Sequence, residues 1–187
     1  MKIANTKRCL PHVLAALLLM AGGATEALAQ TSTVNVTGNI TGNCQITGGA
    51  SLTIPLGDVA ASTLTAVGAV SPTAGMQNIT LSCTGSPGMT MTMTGTQHSA
   101  TSDTTVLALT GYGNPGVARG VGVQLLYSVG TTGTPTTLLS RNVGVPITGA
   151  STVTVRVGAR YYTTGLVGAT PAAGTANTTA TLTFTIN

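Results

Sequence analysis

Apolar and polar residues alternate with a period of two along this chain, and a run of that kind can bury one face only as a strand. Val34, Val36, Gly38 and Ile40 alternate with Thr33, Asn35, Thr37 and Asn39. Leu52, Ile54 and Leu56 repeat the pattern ahead of a Gly57-Asp58 turn signal, as do Ile79, Leu81 and Cys83, and then Met89, Met91 and Met93 between threonines. Val106 to Leu109 is a short apolar run. Val121, Val123, Leu125 and Tyr127 form a further set, Val153 to Tyr161 the longest, and Leu182, Phe184 and Ile186 the last. Between the runs, the stretches Gly111 to Gly116, Gly130 to Pro135, Gly144 to Pro146 and Gly165 to Gly174 are rich in turn residues. With 25 glycines, abundant Thr and no amphipathic helix of useful length, the chain reads as an all-β, immunoglobulin-like sandwich of seven or more short strands.

The first residues have another purpose. Lys2, Lys7 and Arg8 precede an apolar run from Val13 to Met20, and Ala27-Leu28-Ala29 supplies small residues for a signal peptidase. Residues 1–29 therefore read as a secretory signal, with the exported chain starting at Gln30. The apolar run is shorter than the roughly 20 residues that a membrane helix needs. Removing the signal leaves Arg119, Arg141, Arg156 and Arg160 against Asp58 and Asp103, with no Lys and no Glu. Four scattered arginines without an aromatic platform exclude a nucleic-acid binder. Cys44 and Cys83 also remain, and an even pair in an exported chain reads as one disulfide closing a long loop.

Three motifs suggest chemistry and have plainer readings. Gly111-Tyr112-Gly113-Asn114-Pro115-Gly116 matches the dinucleotide fingerprint, but a strand pattern follows it where that fingerprint needs a helix, so it is read as a turn. Met89, Met91 and Met93 with His98 could suit Cu(I). A row on one pleated face points in parallel, however, and flexible thioethers there fill a core, so no metal site is expected, and His98 is read as a surface-loop residue. His98, Asp103 and a serine make an arithmetical triad without a nucleophile elbow, so no catalytic residues and no cofactor are expected. Asn35, Asn39, Asn78 and Asn177 match the glycosylation sequon, as chance allows in a Thr-rich chain.

Both ends of the exported chain are patterned strands without charge. Such edges template association unless they are paired, within the chain or on another one.

The stretches Thr33 to Ile40 before Cys44, Leu56-Gly57-Asp58-Val59, Ile79 to Cys83, Gly120 to Leu126, Ala159-Arg160-Tyr161 and Ala173 to Asn187 together resemble the type 1-like chaperone-usher fimbrial (pilin) subunits of Gram-negative bacteria. The resemblance implies a sandwich lacking its last strand. Residues 30–42 would be an N-terminal donor-strand extension, with Val34, Val36 and Ile40 as plugs and Gly38 over a shallow pocket, and residues 43–187 the pilin domain. It implies a C-terminal strand (Leu182, Phe184, Ile186) gripped by a periplasmic chaperone, an outer-membrane usher as the site of strand exchange, and a homopolymeric filament at the cell surface that mediates adhesion. Ile186 departs from the penultimate aromatic usual in the family. A minor adaptor near the filament tip and a soluble carbohydrate-binding adhesin module are the rival expectations.

Overall fold

The computed structural model describes residues 35, 37, 42–148, 150–165 and 171–187. Val34, Val36, Gly38 and Ile40 lie outside the described residues, and with them the expected first strand.

Among the described residues nine strands form two sheets, every strand pairing antiparallel: β1 (Asn43–Gly48), β2 (Ala74–Thr84), β3 (Met89–Gly95), β4 (Val106–Leu107), β5 (Val121–Val129), β6 (Thr137–Leu138), β7 (Gly144–Ile147), β8 (Thr152–Thr163) and β9 (Ala180–Ile186). The larger sheet has the order β1-β2-β8-β5-β4, with β6 also on β5, and the smaller has the order β7-β3-β9. A short 3-10 turn spans Ala61–Thr63. The architecture is an immunoglobulin-like sandwich.

Parity builds the core. Ile79, Leu81 and Cys83 on β2, Val121, Val123 and Leu125 on β5, and Val153, Val155, Val157 and Ala159 on β8 turn one face of the large sheet inward. The three methionines of β3 meet them from the small sheet and are buried, filling the core between the sheets. Cys44 lies directly opposite Cys83 in the β1–β2 ladder, Cα atoms 4.1 Å apart, and the two are bonded. The bond closes a 39-residue separation, and in the chain-entropy model a loop of that length contributes about 4 kcal/mol.

Three local expectations change. Gly144 to Pro146, read as a turn, belongs to β7, where Pro146 sits opposite Thr90 on an edge strand that can accept a residue without an N–H. Leu52, Ile54 and Leu56 keep their alternation as half-buried side chains, but no ladder forms along residues 52–60. The third is His98, whose side chain has no exposure at all. The backbone returns at Thr101 to bond His98 O, and His98 N donates to Val106 O, which folds the ring inward against Tyr112, with centroids 4.3 Å apart. The turn Gly111 to Gly116 is as expected, with Gly111, Gly113 and Gly116 all at positive φ, where a side chain would be strained.

Candidate strand-accepting groove

Between the unladdered segment 51–59 and β9 lies an open groove of about 1220 Å³. Its floor is the core itself: Ile79 from β2, Val123 and Leu125 from β5, and Val157 and Ala159 from β8. One wall presents Leu52, Ile54, Leu56 and Val59, the other Ala180, Leu182 and Phe184, all of them partly buried and packed on the core. β9 bonds β3 on one edge, and among the described residues no strand pairs with its other edge. Ile46, at the end of β1, also lines the groove and is exposed. The groove thus offers apolar side-chain pockets beside a row of free backbone donors and acceptors.

This arrangement accounts for the missing ladder at Leu52 to Leu56. The segment flanks the groove on the side away from β9 without pairing to any strand among the described residues. Of the expected C-terminal set, Leu182 and Phe184 line it. Ile186, opposite Met89 in the β3–β9 ladder, lies beyond the lining and is partly exposed.

One end of the groove is polar. Tyr161 donates from its hydroxyl to Ala176 O at 3.4 Å, and burial together with the nearby negative charge of Asp58 pushes its phenol above the ordinary range. Among the described residues, Asp58 is the only charged side chain on the lining. A groove larger than the usual 300–1,000 Å³ of a small-molecule site, with so few convergent polar groups, fits an extended peptide better than a metabolite. Among the described residues no three His, Cys, Asp or Glu side chains gather as a metal site.

The residues of the arithmetical triad are not joined. The Asp103 carboxylate accepts from Thr105 N and Thr105 Oγ1, whereas His98 Nδ1 accepts from Ala100 N at 3.1 Å. The imidazole is thereby held neutral with its proton on Nε2, which finds no well-formed partner. Burial holds its pKa below the ordinary 6.5, and the Val121 backbone offsets part of that shift. The unfolded chain therefore takes up the proton first as pH falls, so stability is full above about pH 6.5 and declines below it. Denaturant unfolding between pH 7.5 and pH 5 is expected to show this loss in the native chain and a shallower one in His98→Gln.

The groove floor was legible as alternating strands, but that no strand among the described residues lies above it is a tertiary fact without a local signal.

A family model described as fimbrial protein matches residues 30–187. No curated protein matches the sequence. Among solved structures, the chain is similar to one described as the structure of a chaperone-usher pilus that bears on rod uncoiling, with a TM-score of 0.57, 17% identity, and coverage of 84% of this chain and 96% of that one. It is similar to the P pilus rod subunit PapA, with a TM-score of 0.55, 21% identity, and coverage of 77% and 99%. A Burkholderia pseudomallei antigen and type I fimbria protein gives a TM-score of 0.53 and 27% identity over 79% of this chain and 98% of that one.

Proposed function

The chain belongs to the fimbrial protein family, and on that premise we propose that it is a structural subunit of a chaperone-usher fimbria, polymerising by donor-strand exchange into a surface filament used for adhesion. The observation that carries this reading is the open groove, with an apolar floor, two apolar walls and an unpaired β9 edge. Each copy would lay residues 30–42 into the groove of the next, Val34, Val36 and Ile40 entering pockets and Gly38 crossing where one is shallow. Burying three such side chains contributes on the order of 5 to 8 kcal/mol before backbone bonds and ordering costs. A groove open to water in the unassembled subunit calls for a temporary occupant, the role of a periplasmic chaperone, with an outer-membrane usher as the place of exchange. The apparent signal at residues 1–29 supports export, and the family match begins at Gln30, where the processed chain would begin. No helix among the described residues is long and apolar enough to cross a membrane. The chemistry is assembly, and no residue is assigned a catalytic part in it.

Immunogold labelling of the producing cells with antibody to this chain tests the assignment. Label along the whole length of surface filaments is the expected result. Label confined to tips would make the chain a minor adaptor, and label found only on secreted soluble protein would favour the adhesin module.

A further inference from the structure

On the outer face of the large sheet, four side chains from three segments form one continuous hydrogen-bonded chain. Arg160 on β8 donates from Nε to Gln124 Oε1 at 2.9 Å, and Gln124 on β5 donates from Nε2 to Thr105 Oγ1 at 2.8 Å. Thr105, just before β4, donates from Oγ1 to Asp103 Oδ1 at 2.7 Å, and the same Oδ1 accepts Thr105 N at 2.8 Å, which fixes the carboxylate against the hydroxyl. The ladders place the parts: Gln124 pairs with Val106 on one side and with Arg160 on the other. Gln124 is only 2% exposed although it points away from the core.

Those four groups are the components of an acyl transfer: a hydroxyl, a base on that hydroxyl, a carboxamide beside it, and a cation on the carboxamide oxygen. We propose that Thr105 and Gln124 become joined by an intramolecular ester, formed autocatalytically by Asp103 and Arg160. The hydroxyl hydrogen already points at Asp103, and one lone pair of Oγ1 accepts Gln124 Nε2–H, so attack requires the amide to turn about its Cγ–Cδ bond until the face of Cδ meets Oγ1. In the step, Oγ1 bonds to Gln124 Cδ as its proton passes to Asp103, and the negative charge developing on Oε1 is met by the Arg160 guanidinium. The Cδ–N bond then breaks, and the nitrogen takes the proton from Asp103 and leaves as ammonia. Asp103 returns to its starting charge, no oxidant or co-reactant is consumed, and burial of Gln124 keeps out the water that would compete for the acyl group. The product would fasten the edge of the sheet, where β4 is only two residues long, to the central strand β5. This inference is independent of the groove and of how the chain polymerises.

Tryptic peptide mass spectrometry of the exported, reduced chain reads the bond directly, because cleavage after Arg119 and Arg141 separates Thr105 from Gln124. Cyclisation of an N-terminal Gln30 also releases ammonia, so the loss must be located on the peptides rather than on the intact mass. The expected result is one species joining the peptide that ends at Arg119 to the peptide 120–141, lighter by one ammonia and split by alkaline hydroxylamine. Thr105→Val and Asp103→Asn should each yield two separate peptides. Separate wild-type peptides with the Gln124 amide intact would overturn the proposal and leave only a hydrogen-bonded network. A junction that persists in Thr105→Val would equally overturn the assignment of the nucleophile.

Discussion

Val36→Asp is expected to abolish surface filaments while leaving the level of chaperone-bound subunit in the periplasm near normal. Val36 stands at the centre of the proposed donor set, between Val34 and Gly38, and would enter the groove whose floor includes Val123, Leu125 and Val157. Every one of these is an aliphatic side chain of the buried core. Among the described lining residues a carboxylate there meets no cation, since the only charge they carry is that of Asp58, of the same sign. The substitution therefore removes the plug, worth roughly 1.5–3 kcal/mol when fully buried, and adds a desolvation penalty of several kcal/mol. Thr37→Asp is the control. Strand parity puts residue 37 on the opposite face from 36, so the same charge at the neighbouring position should be much milder. Electron microscopy of cells, compared with periplasmic subunit levels for the two variants, checks both halves. Normal filaments from Val36→Asp, or equal damage from both changes, would remove the donor assignment.

Much of the sandwich was legible because its strands bury one face each. The runs at Ile79 to Cys83, Met89 to Met93, Val121 to Tyr127, Val153 to Tyr161 and Leu182 to Ile186 all fall within strands. Alternation reports a buried face without reporting what the edge is bonded to. Leu52, Ile54 and Leu56 therefore carried the signature of a strand and turned out to flank a gap. β7 was hidden by the opposite effect: Gly144 and Pro146 signal a turn, yet an edge strand with a partner on one side tolerates both. His98 illustrates a third limit. A histidine between polar residues reads as exposed, and only the tertiary return of the loop onto Val106 takes it out of water. The groove itself was anticipated through resemblance and through the uncharged, patterned ends of the chain, which no local rule within a closed domain explains.

Occupancy of the groove is the centre of the account, and a synthetic peptide provides the occupant. The domain starting at Asn43 lacks the donor segment, so the partly buried groove walls, Leu52 and Leu56 on one side and Leu182 and Phe184 on the other, have no strand between them, and it should melt early or aggregate. A peptide of residues 30–42 that binds the folded form alone stabilises it by mass action, by about 2.7 kcal/mol at a hundredfold excess over Kd. For a domain of this size, that corresponds to a rise in Tm of about 5–10 °C. The same peptide carrying Val36→Asp should give no rise, and the one carrying Thr37→Asp most of it. The most direct measurement is accordingly the melting temperature of the domain from Asn43 to Asn187 with increasing concentrations of each peptide. The account predicts a saturable rise with the native peptide that Val36→Asp eliminates. A domain that melts sharply on its own at a temperature indifferent to the native peptide would contradict it and indicate a sandwich already closed.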